Sequence, residues 1–372
     1  MKQVFKFGCL SSVIFLLLIN ISNSVDAKEK IGRSRGPVRL AKTSVFSDVD
    51  FDGNRIRSVV TNEGELVSAR ANGTNPAMFW PKTTDKTINY QSGIWIAGKV
   101  DGIIRTAAAE YASEFVAGTL EDWNDAAFDS KFRTYEINVD DVRKEPGKDY
   151  FEWPFEDGPP FLMTDSGHIE GAGHPFRFDP ETGDSIVIAR DDYANMIPGL
   201  IGDQTLWSVF NDRERNRHSL FNTNPIGVEV HQTVWGYNRA DAFGDMMFMK
   251  YMVIKDPSSP DTLKEAYLSF WADVDLGDSN DDLVALVLEE SFGYHYNDGS
   301  DPIYGDNPPA IGYDFFQGPY VFVPCASTDT QRSCRDSGGS FFDNDGDGIF
   351  NLDLGDIPAD TAKVSRHFRS TG

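Results

Sequence analysis

The chain has 372 residues and a formal net charge of −24, with 58 acidic and 34 basic side chains. This charge argues against nucleic acid and anionic membrane surfaces as partners, because both would be repelled. A hydrophobic content of 40% and an aromatic content of 13% predict a globular chain rather than a disordered one. The length suits one large domain or two modest ones.

The start of the chain has the pattern of a secretory signal peptide over residues 1–27. Lys2 and Lys6 precede an apolar run, and cleavage after Ser24 or Ala27 fits the small side chains there. No later stretch approaches the roughly 20 apolar residues of a membrane-spanning helix. The sequence therefore predicts a secreted, extracellular or cell-surface protein with no membrane insertion after signal cleavage.

Residues 28–54 are expected to form an extended leader, since residues 28–42 are basic and poor in large apolar side chains. Residues 47–54 begin like a calcium loop, with the order Asp-x-Asp-x-Asp-Gly. Ile56 and Val59, however, stand at the ninth and twelfth positions, where calcium loops carry oxygen ligands. A turn is the interpretation favoured there.

Short apolar runs separated by turn residues predict a mainly β fold for residues 55–322. We expect an antiparallel β-sandwich, jelly-roll-like, with long loops and little helix. Residues from about 145 to 184 have no sustained period, which is typical of a loop-rich insertion. Residues 120–132 are expected to hold a helix or two helical turns.

The strands themselves are predicted from alternation and turn signals. Residues 93–100 and 103–106 form a hairpin across Asp101-Gly102, a dipeptide typical of a two-residue hairpin turn. A meander of four strands is expected to follow, over 228–235, 246–254, 265–275 and 283–296.

An acidic stretch stands at the seam between two apolar runs, and we call it the acidic loop. Its carboxylates are Asp273, Asp275, Asp278, Asp281 and Asp282. Alternate residues of a strand face the same side, so the first two are expected to share a face. Gly277 permits a turn that brings the other three back towards them. Converging oxygen ligands of this kind suit Ca²⁺, and the alternative is a solvated acidic loop.

A second calcium pattern, DNDGDGIFNLD, lies at residues 343–353. It resembles the calcium loops of dockerins, thrombospondin type 3 repeats and EF-hands. The resemblance implies the following oxygen ligands: Asp343, Asp345, Asp347, the carbonyl of Ile349, and Asn351. Leu354 replaces the bidentate acid of those loops, and Asp353 is a candidate substitute. An acidic linker is the alternative interpretation.

Cys325 and Cys334 are predicted to pair as a disulfide in an oxidising compartment, since no His or further Cys nearby suggests a metal site. Residues 323–372 are thus expected to combine a disulfide loop with a calcium-binding linker. We expect this linker to continue into a region that the chain does not include.

Several phrases together resemble the N-terminal region of long secreted bacterial proteins that carry a C-terminal type IX sorting domain. They are GIWIAGKV at 93–100, AAAEY at 107–111, PIGVEV at 225–230, TVWG at 233–236, the acidic loop, and NPPAIGYDFFQGP at 307–319. The resemblance implies type IX secretion to the cell surface or medium, and association with binding modules elsewhere in a longer chain. It implies no particular activity. The sorting domain itself has no counterpart in the sequence.

The leading hypothesis is an exported, calcium-binding β-sandwich module with a structural or binding role and no catalysis. An alternative is a carbohydrate-binding module that uses Trp123 or Trp153, both in acidic, loop-like sequence and expected to be exposed. Trp95, Trp235 and Trp271 fall in strand patterns and are expected in the core. Another alternative is a glycoside hydrolase that uses paired acids such as Glu152 and Glu156, which stand beside aromatic residues in the sequence. The sequence carries no nucleophile elbow, phosphate loop or dinucleotide motif, which argues against other common enzyme classes.

Overall fold

The computed structural model describes residues 46–67, 78–120, 130–163, 169–170, 177–178, 185–186, 196–256, 259, 261–316, 341–342 and 357–358. The strands of the first half are β1 (Asp48–Phe51), β2 (Ser58–Thr61), β3 (Glu65–Val67), β4 (Met78–Phe79), β5 (Thr87–Asn89), β6 (Gln91–Val100), β7 (Ile103–Ala108), β8 (Val116–Ala117), β9 (Tyr135–Asn138), β10 (Phe161–Met163), β11 (Ile169–Glu170), β12 (Arg177–Phe178) and β13 (Ser185–Ile186). Those of the second half are β14 (Met196–Pro198), β15 (Gln204–Asn211), β16 (Val228–Gly236), β17 (Met247–Lys255), β18 (Lys264–Asp273), β19 (Asp282–Val287), β20 (Phe292–Asn297), β21 (Ile311–Asp314), β22 (Phe341–Phe342) and β23 (Ile357–Pro358).

Helices are short among these residues. They are α1 (Val139–Arg143), α2 (Lys148–Phe151) and the 3₁₀ turns Ser130–Phe132, Phe155–Asp157, Arg215–Arg217, Ala242–Asp245 and Leu288–Glu290. The prediction of a mainly β fold is confirmed. Within the same residues, no helix is long and apolar enough to cross a membrane.

Two antiparallel sheets form the main layers. Sheet I has the order β17-β16-β15-β8, with β9 also paired to β15, and sheet II has the order β18-β6-β3, with β7 also paired to β6. A smaller sheet III has the order β19-β20-β21.

Alternation along the strands builds the core between sheets I and II. Ile94 and Ile96 of β6 pack with Phe210 of β15 and Val230 of β16 in one buried cluster. Each such large side chain, once buried, contributes roughly 1.5–3 kcal/mol to stability. The two sheets therefore form a sandwich.

A third apolar cluster lies on the outer side of sheet I. Trp207 and Val209 of β15 face outward there, and Tyr135 and Trp153 pack over them. The region that follows β9 therefore covers one face of sheet I, which is how part of the loop-rich insertion is attached to the sandwich.

The predicted hairpin is confirmed, with β6 and β7 joined by Asp101 and Gly102. Both turn residues have positive φ, 53° and 74°. This is the requirement of a type I′ turn, which matches the twist of the flanking strands.

The predicted four-strand meander is wrong in two respects. β17 pairs with β16 in sheet I, whereas β18 crosses over and pairs with β6 in sheet II. The single strand expected over 283–296 is two strands, β19 and β20, which turn at Ser291 with a φ of 55°. An apolar run does not reveal where such a turn interrupts it.

The turn expected over residues 47–54 is in part a strand, because β1 pairs with β2. The turn that follows is held by Gln204, whose Oε1 accepts the N–H groups of Asp52 at 2.9 Å and Gly53 at 2.7 Å. A Cβ on Gly53 would lie 2.5 Å from the Cβ of Gln204. The glycine of this calcium-like pattern therefore serves the close approach of Gln204.

Candidate cation-binding loop and aromatic sheet face

The acidic loop joins β18 to β19. Val274 and Leu276 point into the core, so Asp273 and Asp275 face the opposite side, as their spacing predicted. Gly277 makes the turn with a φ of 78°, in the left-handed region that favours glycine. The loop thus changes direction where the sequence placed its glycine.

Asp301, which the sequence did not single out, anchors this turn from a later segment. Its side chain is 2% exposed, and its Oδ2 accepts the N–H of Asp278 at 2.9 Å. Its Oδ1 accepts the N–H of Ile303 at 2.7 Å and also that of Tyr304. A Cβ on Gly277 would lie 2.5 Å from Asp301 Oδ1. The Asp301-Pro302 pair is the signal for such a turn, because aspartate side chains accept hydrogen bonds from nearby backbone.

The far end of the acidic loop returns to its beginning. Asp282 Oδ2 accepts the N–H of Leu276 at 2.9 Å, which places this carboxylate beside Asp275. The side-chain amide of Asn297 donates to Asp281 Oδ1 at 2.8 Å and to Asp282 Oδ1 at 3.3 Å. Asn297 therefore bridges two neighbouring carboxylates.

Burial and neighbouring charges disfavour ionisation of three of these acids, Asp275, Asp281 and Asp282. Burial, and then the charge of Asp273, raise the pKa of Asp275 to about 6. Burial, and then the charges of Asp281 and Asp275, raise the pKa of Asp282 to about 7, against the opposing effect of the Leu276 N–H. Asp278 behaves differently, because its bond from the Asn280 side chain lowers its pKa. The loop thus holds a partly buried pair, Asp275 and Asp282, that resists full charge near neutral pH.

This pair is the candidate cation site. Within the described part of the chain, no three His, Cys, Asp or Glu side chains are already gathered as a metal-binding group. Asp273 is engaged elsewhere, since its Oδ2 accepts the hydroxyl of Tyr111 at 2.6 Å. An ion at the loop would therefore use Asp275 and Asp282 first, with backbone carbonyls and water completing its shell.

Several predicted sites lie outside the described residues. They are the signal peptide, most of the leader, the disulfide of Cys325 and Cys334, Trp123, and the tail ligands Asp343, Asp345, Asp347, Ile349, Asn351 and Asp353. For these the predictions stand as made.

The prediction that Trp153 is exposed is wrong. Its side chain is 4% exposed, and its indole N–H donates to the Pro160 carbonyl at 2.8 Å. Its ring packs edge-on against Tyr135 with centroids 5.9 Å apart. A surface loop folds back over sheet I here, so Trp153 serves packing and is unavailable to a glycan.

Glu152, a candidate acid of the hydrolase alternative, is paired with two cations. Its carboxylate lies 2.7 Å from Arg133 Nη2 and 3.4 Å from Lys148 Nζ. These contacts make Glu152 part of an ion-pair network in which Arg133 also binds Asp149. The geometry around Glu152 gives no support to catalysis there.

The expectation that Trp95, Trp235 and Trp271 lie in the core is also wrong, because all three face outward and are only partly buried. In β6 and β18 the inward positions are taken by neighbours such as Ile94 and Phe270. Alternation then turns Trp95 and Trp271 to the outer side of sheet II. The strand pattern identified the strand correctly but not the side that is buried.

Five rings gather on the outer side of sheet II, and we call them the aromatic face. They are Trp95, Tyr111, Phe221, Tyr267 and Trp271. Tyr111 meets Trp271 edge-on with centroids 5.0 Å apart, and Phe221 meets Trp95 in the same way at 5.1 Å. Tyr267 is 68% exposed and Tyr111 60% exposed. The hydroxyl of Tyr111 connects this face to the acidic loop through Asp273.

No protein-family model, curated protein or solved structure matches the chain. Function is therefore inferred from the acidic loop and the aromatic face themselves.

A second group of carboxylates lies deep in the sandwich, and we call it the buried triad. It consists of Glu114, Asp212 and His218, whose side chains are all buried. His218 Nε2 donates to the Asp212 carbonyl at 2.7 Å, and His218 Nδ1 lies 3.8 Å from Glu114 Oε2. Burial raises the pKa of both carboxyl groups.

Backbone amides donate to both oxygens of Asp212 and to one oxygen of Glu114 in the buried triad. Asp212 accepts the N–H groups of Ile226 at 2.5 Å, Gly227 at 2.9 Å and Val228 at 2.7 Å. Glu114 Oε1 accepts the N–H groups of two further residues, Leu220 and Phe221. The triad therefore fastens the segment between β15 and β16, including the Phe221 ring of the aromatic face.

Proposed function

We propose that the chain is an exported β-sandwich module that binds Ca²⁺ and has a binding or structural role without catalysis. The observation that carries this proposal is the return of Asp282 to the start of the acidic loop, where its carboxylate accepts the Leu276 N–H beside Asp275. Burial and neighbouring carboxylates raise the pKa values of Asp275 and Asp282 to about 6 and 7. A divalent cation at this pair would replace bound protons and offset the repulsion. Export rests on the signal-like first 27 residues.

The position of the acidic loop explains why an ion there would stabilise the fold. The loop connects sheet II to sheet III, and Asp301 ties it to the segment that precedes β21. An ion that binds only the folded chain stabilises it by mass action, by about 2.7 kcal/mol at one hundred times its Kd. With two carboxylates as its main ligands, the affinity is expected in the range of extracellular calcium modules, about 10⁻⁴–10⁻³ M.

The test is the melting temperature of the purified chain in EDTA and across a Ca²⁺ titration at pH 7.5. We expect millimolar Ca²⁺ to raise the melting temperature by several degrees. Asp275→Asn/Asp282→Asn should abolish this rise. Glu289→Gln/Glu290→Gln, which removes two exposed charges beside the turn between β19 and β20, should retain it.

The outcomes separate the two calcium predictions. A rise that is retained in Asp275→Asn/Asp282→Asn but lost in Asp345→Asn/Asp347→Asn would place the ion in the tail instead of the acidic loop. No rise in the parent chain at millimolar Ca²⁺ would show that the proposal is wrong.

A further inference from the structure

We propose that the aromatic face is a binding site for an extended, neutral, β-linked polysaccharide. This inference rests on the binding role proposed above and gives it a ligand class, but it requires no ion at the acidic loop.

Three rings of the aromatic face form a bent row on two paired strands, with two of them on β18 and one between them on β6. Trp95 of β6 stands opposite Ser269 of β18, so Trp271 and Tyr267 are its diagonal neighbours. Diagonal neighbours in a sheet are about 7–8 Å apart, and four residues of a strand span roughly 13 Å. The row is therefore long enough for an oligosaccharide rather than for one sugar ring.

The residues that pair with these rings across the sheet have small side chains. Trp271 is paired with Gly93, Tyr267 with Ala97, and Trp95 with Ser269 on one side and Ala108 on the other. A Cβ on Gly93 would lie 2.4 Å from the carbonyl oxygen of Ala109, so the position paired with Trp271 has to be a glycine. With small residues at the paired positions, the rings are the large side chains of this part of the sheet, and Tyr267 is the most exposed of them.

Ring faces of this kind match the chemistry of a sugar chain. An aromatic face carries negative charge density, and the C–H groups on a pyranose face carry the complementary positive one. Oxygen atoms for hydrogen bonds to the sugar hydroxyls lie within and beside the row, on Ser269 and Asp273. A row that extends roughly 13 Å along one side of a sheet fits an extended β-linked chain better than a coiled one.

Charge and edge geometry disfavour other occupants. Lys99, at the far end of the face, is held by Glu265 at 2.7 Å, and a net charge of −24 repels anionic polymers. β18 is an edge strand, but its register shifts between Lys264 and Tyr267, where Glu265 has a φ of 48°. Such a bulge disrupts the pairing that an added peptide strand would need.

The test is affinity electrophoresis of the purified chain in gels that contain hydroxyethylcellulose, barley β-glucan, galactomannan or xylan, with alginate and heparin as anionic polymers. We expect retardation by at least one neutral polymer, with Tyr267→Ala and Trp271→Ala each weakening Kd about tenfold or more. Tyr267 is largely exposed, so its removal leaves the core intact. Phe243→Ala is the matched control, since Phe243 is 46% exposed near the end of sheet I and should not alter binding.

Three results would overturn the proposal: no retardation by any neutral polymer, retardation that Tyr267→Ala leaves unchanged, or retardation by the anionic polymers alone. Melting curves of each variant check that the fold is retained. Repeating the gels in EDTA separates the two proposals. Retardation that persists in a chain without a calcium-dependent melting shift refutes the ion site and leaves the glycan site standing.

Discussion

The buried triad and the acidic loop hold carboxylates in opposite ways. In the triad, Asp212 is enclosed by the sandwich and accepts three backbone N–H groups. In the acidic loop, the carboxylate of Asp275 lies beside the charge of Asp273, and that of Asp282 lies beside the charges of Asp281 and Asp275. Asp282 accepts a single backbone N–H, that of Leu276, so the repulsion within the loop is left to protons or cations to offset. Asp212 is therefore satisfied by the chain itself, and the loop is the region that an ion would complete.

The largest effect expected from this comparison is that of Asp212→Ala. The substitution leaves three buried N–H groups without an acceptor, and breaking such a buried, charged network costs about 3–5 kcal/mol. We expect urea unfolding to show a loss of that size. Asp278→Ala, which removes a carboxylate of the acidic loop bonded to Asn280, should change the unfolding midpoint far less. Equal losses in the two variants would contradict the contrast between the regions.

The second prediction concerns pH at the acidic loop. The folded pKa values of Asp275 and Asp282 lie above the unfolded value near 4, so the folded chain binds more protons between about pH 4 and 7. The unfolding free energy in EDTA should therefore fall as pH rises through this interval. Because Ca²⁺ competes with those protons, the melting shift that it causes should grow over the same interval.

A control separates this effect from other titrating acids. Burial also raises the pKa of Glu65 to about 7, so Glu65→Gln should reduce the pH slope in EDTA. It should leave the calcium-induced shift unchanged, whereas Asp275→Asn/Asp282→Asn should remove both contributions of the loop. A calcium-induced shift that does not vary with pH in the parent chain would count against proton competition.

The sequence predicted local features where one residue determines the backbone. Asp101-Gly102 specified its hairpin turn, and Gly277 specified the reversal of the acidic loop. It also predicted that Asp273 and Asp275 share a face, since the period of a strand requires it. These features depend on neighbours in the chain and not on distant packing.

Features that depend on distant partners were not predictable. The role of Asp301 follows from its fit against Gly277, 24 residues earlier in the numbering. The outward side of Trp95 and Trp271 depends on which face of sheet II meets sheet I, and alternation alone leaves that choice open. Trp153 was assigned to the surface because its loop is acidic, yet packing over Tyr135 buries it. Tertiary contacts decided each of these cases.

The smallest effect tests whether the acidic loop and the aromatic face act separately. Tyr111→Phe removes the hydroxyl that donates to Asp273 at 2.6 Å but keeps the ring beside Trp271. Loss of one partly exposed hydrogen bond should cost at most about 1 kcal/mol in urea unfolding. The calcium-induced melting shift should survive, because the ion is expected at Asp275 and Asp282. Binding of the neutral polysaccharide should also survive, because the Tyr111 ring remains. Loss of both the calcium-induced shift and polysaccharide binding would mean that Asp273 couples the two sites. The acidic loop would then position the aromatic face as well as stabilise the sandwich.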